Sequence, residues 1–210
     1  MIPPSPLGIK LLRETLDQPD AEFNSAAQCF VLDQLIKPVM NVFSILPTAS
    51  GKTLSYILTA RYLQQRSFGS AFIVVVVPFT HLITDIMHRC KQFKVPAGQL
   101  EYGCDGTVQG MLDRNVSPIL LISADKFATS DTIEEFLRVS KEKQRLHCII
   151  FDEVHAILES HRRKLLSLPS RIVRVGVPVF LNSGTVTPSN EATIRDLFGE
   201  LTSFHLNLPR

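Results

Sequence analysis

Leu46-Pro47-Thr48-Ala49-Ser50-Gly51-Lys52-Thr53 joins a short apolar stretch, Asn41 to Leu46, to a helix-spaced one running from Lys52 to about Arg66. A turn between a strand and a helix aims backbone N–H groups at one point and adds the positive end of the helix dipole. Such a turn holds phosphate. Lys52 is spaced to reach β- and γ-phosphates, Thr53 to offer a hydroxyl to Mg²⁺, and Gly51 to let the backbone pass close to phosphate oxygens. The spacing follows G-x-x-x-x-G-K-[ST], with Leu46 at the first glycine and Ala49 inside the loop. If the Ala49 position requires a positive φ, alanine costs about 1 kcal/mol there. The competing reading of this stretch is an ordinary helix start with a surface lysine.

A second stretch far downstream gives the first its meaning. Cys148-Ile149-Ile150-Phe151-Asp152-Glu153-Val154-His155 reads as a buried strand that ends in two carboxylates. Acids at the end of a buried strand are costly without partners. A metal ion and a polarised water are suitable partners: Asp152 would hold Mg²⁺ through water, and Glu153 would orient or deprotonate an attacking water. Taken alone, the pair reads equally as an acidic helix cap favoured by the dipole. Together and in this order, the two stretches predict hydrolysis of a nucleoside triphosphate.

The rest of the chain fits around them. Ala71 to Val77 is apolar on both faces and rich in β-branched residues, as a central parallel strand requires; Pro78 ends it. Further strands are predicted over Pro118–Ile122, Leu146–Phe151 and Pro178–Asn182, with a last one over Leu201–Leu206. The segment from Gly98 to Gly106 reads as irregular or a weak strand. Helices are predicted over Leu7–Asp17, from an Asn24 N-cap to Ile36, and over Phe79–Phe93, Thr132–Lys143, Glu153–Glu159 and Asn190–Phe198. Strands alternating with helices imply an α/β fold with a mostly parallel central sheet and helices on both faces.

The chain has 210 residues, enough for one domain with a sizeable core. Net charge is only +2, which argues against a strongly electropositive surface but leaves room for a local basic face. Cys29, Cys90, Cys104 and Cys148 lack metal-ligand spacing. Cys29 and Cys148 sit among apolar residues and read as reduced core thiols. That points to an intracellular protein, nuclear or cytosolic. No apolar run is long enough to span a bilayer, so no membrane partner is expected.

Smaller candidates surround the two main stretches. His155 points towards the same cleft, either as a coupling residue or as a satisfied structural histidine. Ser183-Gly184-Thr185 follows a strand and either reaches across to the acid pair or forms a simple turn. Pro78-Phe79-Thr80 opens a helix whose N-terminus suits a nucleic-acid phosphate, and Ser123 stands at an equivalent strand end. Both read equally well as plain strand ends.

The ordered set of Gln28, Pro47-Thr48-Ala49-Ser50-Gly51-Lys52-Thr53, Pro78-Phe79-Thr80, Ile122-Ser123-Ala124-Asp125, Asp152-Glu153-Val154-His155 and Ser183-Gly184-Thr185 resembles the first RecA-like domain of superfamily 2 DExH-box helicases. These are P-loop NTPases. Within them the chain most resembles RecQ-like DNA helicases, particularly fungal telomere-linked-helicase-like sequences, over about Phe23 to Phe198. The resemblance implies ATP and Mg²⁺ as cofactors and nuclear work on nucleic acid, DNA ahead of RNA. It implies that Gln28, after Phe23 and Asn24, recognises adenine, and that Thr48, Ala49, Ser50, Gly51, Lys52 and Thr53 hold the phosphates. Thr53 and Asp152 would bind the metal, with Lys52, Asp152 and Glu153 catalytic. His155, Ser183 and Thr185 would couple hydrolysis to strand movement, and Pro78, Thr80 and Ser123 would touch the nucleic-acid backbone.

The sequence also departs from that pattern. Asn24 stands where an arginine is usual, and Gly184 where an alanine is. The stretch from Leu158 to Leu168 has His161, Arg162, Arg163 and Lys164 in place of aromatic residues. The expected organisation is a lead-in and helix over residues 1–22, then the ATP-binding domain over 23–210, with the second RecA-like domain and its arginine finger supplied elsewhere. The expected function is an ATPase motor domain of a DNA helicase, incomplete for unwinding by itself. The alternative is a degenerate module that binds nucleotide or nucleic acid without hydrolysis. A transport or kinase-like P-loop enzyme fits less well, because of Gln28 and the Asp152–His155 tetrapeptide.

Overall fold

The computed structural model describes residues 5–47, 50–66, 70–100, 107–113, 116–159, 163–184, 186–199 and, for the backbone, 202–205. Among the described residues, seven strands form one sheet: β1 (Val42–Ile45), β2 (Phe72–Val77), β3 (Ala97–Gln99), β4 (Ile119–Ser123), β5 (Leu146–Phe151), β6 (Val179–Ser183) and β7 (Thr202–His205). Their spatial order is β3-β4-β2-β5-β6-β1-β7, and every pairing is parallel. The strand carboxyl ends therefore lie along one edge, which is where open α/β sheets place their ligands.

The β2 strand shows why the sheet is central. Its six residues are all buried, and they alternate between two cores. Phe72, Val74 and Val76 join the cluster that holds Phe136, Phe151 and Ile172. Ile73, Val75 and Val77 join the one that holds Tyr56, Ile57 and Ile86. Period-two alternation with both faces apolar requires helices on both sides. On one face lie α2 (Ala26–Ile36), α3 (Lys52–Arg66) and α4 (Thr80–Gln92). On the other lie α5 (Val108–Leu112), α6 (Ala124–Thr129), α7 (Asp131–Glu142), α8 (Leu168–Val175) and α9 (Pro188–Phe198). The α1 helix (Pro6–Leu16) packs outside α2 and α3, where Leu11 and Leu12 meet Leu32, Ile36 and Leu58.

Several local expectations change. Ser25, not Asn24, caps α2: its Oγ accepts the Gln28 N–H at 3.2 Å. Asn24 instead donates its backbone N–H to Gln28 Oε1 at 3.1 Å, so the neighbouring polar residue takes the cap. The segment after Asp152 is a 3₁₀ helix, Val154–Leu158, and not an α-helix that begins at Glu153. Glu153 itself is left-handed, with φ 49° and ψ 49°, which breaks α-helical continuity at its start. The α9 helix begins earlier than expected, behind a Thr187 cap with Pro188 at its start. The α5, α6 and α8 helices are absent from the sequence expectation; two of them are six residues or shorter, below the length at which periodicity is readable. A second 3₁₀ helix, Arg163–Ser167, carries exposed Arg163 and Lys164.

The weak-strand expectation over Gly98–Gly106 is met by β3, with residues 101–106 outside the described set. The last strand is β7, with Leu201 and Leu206 also outside it. Cys29, Cys90 and Cys148 are buried free thiols, while Cys104, His161 and Arg162 lie outside the described residues. Among the described residues no helix is long and apolar enough to cross a membrane.

The cap assignment separates two variants. Ser25→Ala should lower unfolding free energy by about 1 kcal/mol, whereas Asn24→Ala, which keeps its backbone donor, should stay within about 0.5 kcal/mol. Urea denaturation of the two variants beside the parent gives the comparison, and equal losses would return the cap to Asn24.

Candidate active site

Three neighbouring strands of the sheet, β5, β6 and β1, deliver the residues of the two key stretches to one edge. Leu46, just past β1, donates its N–H to the Ser183 carbonyl at 2.9 Å, which ties the start of the loop to the end of β6. The loop turns at Gly51, whose φ is +85°. A Cβ built on Gly51 would stand 2.2 Å from the Gln28 side-chain nitrogen. Glycine is therefore required twice, by conformation and by the close approach of Gln28. Gln28 is itself buried; its Nε2 donates to the Gly51 carbonyl at 3.4 Å while its Oε1 accepts from Asn24. The glutamine thus links the start of α2 to the loop. Thr48 and Ala49 lie outside the described residues.

Lys52 opens α3 and turns inward. Its Nζ donates to Glu153 Oε1 at 2.8 Å, with the lysine side chain only 9% exposed. Glu153 Oε2 accepts the Gly184 N–H at 3.1 Å and lies 3.4 Å from His155 Nδ1. His155 Nδ1 shares a 2.8 Å hydrogen bond with Ser183 Oγ. One carboxylate therefore meets a cation after β1, a backbone donor after β6 and a histidine on its own segment. The left-handed backbone at Glu153 directs the chain so that Asp152 remains buried while Glu153 stays half-exposed.

The two acids respond oppositely to these surroundings. Burial pushes the Asp152 carboxyl above its usual range, against the opposing pull of Lys52. Burial would also raise Glu153, but the hydrogen bond and charge of Lys52, helped by the Gly184 N–H, hold it below its usual range. Asp152 also accepts the Glu153 N–H at 3.2 Å.

Tyr56, Asn182 and Ser44 were not singled out from the sequence. All three are buried under the site. Asn182 Nδ2 donates to the Tyr56 hydroxyl at 2.6 Å, and Ser44 Oγ donates to Asn182 Oδ1. The signal that could have found them is a polar residue inside an apolar strand, Ser44 in β1 and Asn182 in β6. Such a residue needs a buried partner.

The donor set fits a magnesium nucleotide. Ser50 Oγ is shut from solvent with no hydrogen-bond partner among the described residues, so the loop carries an orphaned polar atom. Thr53 and Asp152 offer hard oxygen donors of the kind Mg²⁺ takes. Among the described residues no group of three His, Cys, Asp or Glu could hold a metal unaided. Mg²⁺ shared with substrate phosphates needs only one or two carboxylates.

The remaining candidates lie farther along the same edge. Ser123 ends β4 in register with Val77 of β2, beside Pro78. Thr80 is the first residue of α4 and exposed, whereas Pro78 is buried. Ser123 Oγ caps α6 by accepting the Lys126 N–H at 3.4 Å. Exposed Phe79 stacks on His81 at 5.6 Å. The edge thus has two stretches, one over β5, β6 and β1 with Gln28, Lys52, Asp152 and Glu153, and one over β4 and β2 with Ser123, Pro78 and Thr80. Thr185 lies outside the described residues.

Residues 25–194 match the family model of the DEAD/DEAH box helicases. The chain belongs to that family. Its fold is also that of solved helicase structures. The helicase MrfA bound to DNA superimposes with a TM-score of 0.67 at 17% identity, over 98% of this chain and 30% of that one. The UvsW helicase of bacteriophage T4 gives 0.60 at 15% identity, over 87% of this chain and 60% of that one. Dbp5 of S. cerevisiae, bound to RNA and ADP BeF3, gives 0.63 at 13% identity, over 97% and 50%. The chain therefore spans between about a third and three-fifths of the length of these helicases. Gly51-Lys52-Thr53 and the tetrapeptide Asp152–His155 both fall inside the matched span.

The contact between Gly51 and Gln28 can be tested by a double-mutant cycle. Gly51→Ala should destabilise the chain by about 1 kcal/mol or more, through backbone strain and the Gln28 clash. Adding Gln28→Ala removes the clash and should leave a coupling energy of about 1 kcal/mol. Thermal or urea unfolding of the four proteins measures it. Strict additivity would mean that the two side chains do not meet.

Proposed function

We propose that this chain is the first RecA-like motor domain of a RecQ-like DNA helicase, which binds ATP with Mg²⁺ and hydrolyses it to ADP and phosphate. The observation that carries the reading is the Glu153 carboxylate, held between Lys52, the Gly184 N–H and His155 at one sheet edge. Phosphate entering the loop replaces Glu153 as the partner of Lys52. That frees the Glu153 carboxylate to orient the attacking water and accept its proton. Thr53 and Asp152 would hold Mg²⁺, which would neutralise phosphate charge. Thr48, Ala49, Ser50 and Gly51 line the phosphates, and Gln28 reads the adenine.

Coupling runs through His155 and Ser183, whose hydrogen bond joins the acidic segment to the end of β6; Thr185 is assigned to the same role. Pro78, Thr80 and Ser123 take the nucleic-acid backbone on the β4–β2 stretch of the edge. DNA is the proposed strand and the nucleus the proposed location. MrfA bound to DNA supports the choice of nucleic acid, and Dbp5 bound to RNA makes RNA its competitor. The telomere-linked-helicase-like pattern of motifs supports the RecQ-like assignment. We assign residues 1–22 to a lead-in with α1 and 23–210 to the ATP-binding domain. The arginine finger comes from a second RecA-like domain, and without it turnover drops by about 10³–10⁵.

Phosphate release, measured with and without single-stranded DNA or RNA, tests this function. The parent should show slow, DNA-stimulated hydrolysis, Glu153→Gln should lose about 10²–10⁴ of the rate, and Lys52→Ala should lose it entirely. If parent and Lys52→Ala are equally silent while both bind nucleic acid, the chain is a non-hydrolysing module instead.

A further inference from the structure

A groove between α4 and β3 takes no part in the reaction proposed above. It encloses about 630 Å³. Among the described residues β3 is the outermost strand, at the opposite end of the sheet from β1 and β7. The floor of the groove is apolar: Cys90 and Val95 are buried there, and Met87 beside them is 37% exposed. The rim is basic. His88, Lys91 and Lys94 line it and are exposed, and among the described residues no acid lines it. The groove is also fixed in shape. Lys94 is left-handed, with φ 55°, and the Val95 N–H donates to the Cys90 carbonyl at 2.9 Å, so the chain turns straight from the end of α4 into β3.

The strand adds a second feature. Leu100 donates its N–H to the Leu121 carbonyl of β4 at 2.7 Å. Backbone groups of successive strand residues point to opposite sides, so Ala97 and Gln99 turn theirs away from β4, towards an open edge. The dipole at the carboxyl end of α4 accounts for basic residues in its last turn. It does not account for the groove beside them or for the exposed methionine. Nucleic acid is the less suitable occupant, because among the described residues no aromatic side chain lines the groove to stack a base. An apolar floor, a cationic rim and a strand edge together suit a peptide that pairs with the edge and sets its side chains in the groove.

We propose that this groove docks an extended acidic segment of a partner protein, laid beside β3. Alternate side chains of an added strand fall on one face of the sheet, and here that face is the one α4 covers. Apolar side chains on it meet Met87 and Pro96, and carboxylates on it meet Lys91 and Lys94. The proposal is independent of the nucleotide reaction.

Fluorescence anisotropy with the full chain at physiological salt tests it. The probe is a labelled nine-residue peptide with aspartate at its second and eighth positions, leucine at its fourth and sixth, and serine elsewhere. It should bind at least about 10-fold more tightly than the same peptide with lysine for aspartate. Lys91→Glu with Lys94→Glu should reverse that preference, a gain that only a folded protein can show. Met87→Ser should weaken the acidic peptide by about 10-fold. Methylating the backbone nitrogens of alternate peptide residues, in two separate sets, should weaken binding in one set only, because one set faces β3 and the other faces solvent. Equal binding of the two parent peptides, a preference that survives charge reversal, or equal losses from the two methylated sets overturns the proposal. A ten-nucleotide single strand that displaces the acidic peptide and binds more tightly than it does would make the groove a nucleic-acid surface and overturn it too.

Discussion

The carboxylate of Glu153 is the point at which the ends of three strands are made one site. Lys52 arrives from the helix after β1, the Gly184 N–H from the loop after β6, and His155 from the turn after β5. Two adjacent acids at a buried strand end repel each other and resist desolvation. The lysine, the backbone donor and the left-handed turn at Glu153 remove that conflict by sending the two carboxylates into different surroundings. Asp152 is turned into the protein and Glu153 towards the cleft. Without the ion pair, the loop at Gly51 and the turn at Gly184 would share little beyond the bond from Leu46 to Ser183.

That arrangement depends on the parallel sheet. Parallel strands put all their carboxyl ends on one edge, so residues more than 100 positions apart in sequence meet without long loops. Strand order then divides the edge. The candidate nucleotide residues cluster over β5, β6 and β1, and the candidate nucleic-acid residues sit over β4 and β2. Because β2 and β5 are hydrogen-bonded neighbours, a change at Asp152 or Glu153 has a short path to Pro78. Asp152 donates its N–H to the Val76 carbonyl, two residues before Pro78.

Several of the polar residues in the core lie at this edge. Tyr56, Asn182 and Ser44 lie under the site, while β2, an interior strand of the sheet, is apolar throughout. Gln28 is a comparable case: it is buried, satisfied through both ends of its amide, and set against the loop glycine. Helicase-family membership and these buried polar contacts converge on the same region from independent directions.

Much of this protein is written in its sequence. The β-branched run from Ala71 to Val77, the break at Pro78 and the alternation of strands with helices are local patterns, and they are sufficient for a parallel α/β sheet. Gly51-Lys52-Thr53 and Asp152-Glu153 are likewise legible, because their chemistry depends on residue type and spacing. Other features are not. The cap of α2 lies at Ser25 and not Asn24, a choice between two good capping residues made by the geometry of Gln28. The left-handed turn at Glu153 and the short helices have too few residues to leave a periodic trace. The contacts of Lys52 with Glu153, and of Asn182 with Ser44 and Tyr56, join segments more than 100 residues apart. The sequence by itself determined which residue types stand at the strand ends, Gly51-Lys52-Thr53 after one and Asp152-Glu153 after another. Only the tertiary structure decided which strand ends lie side by side, because register and strand order come from packing both faces of one sheet at once, and those alone bring Lys52 to Glu153.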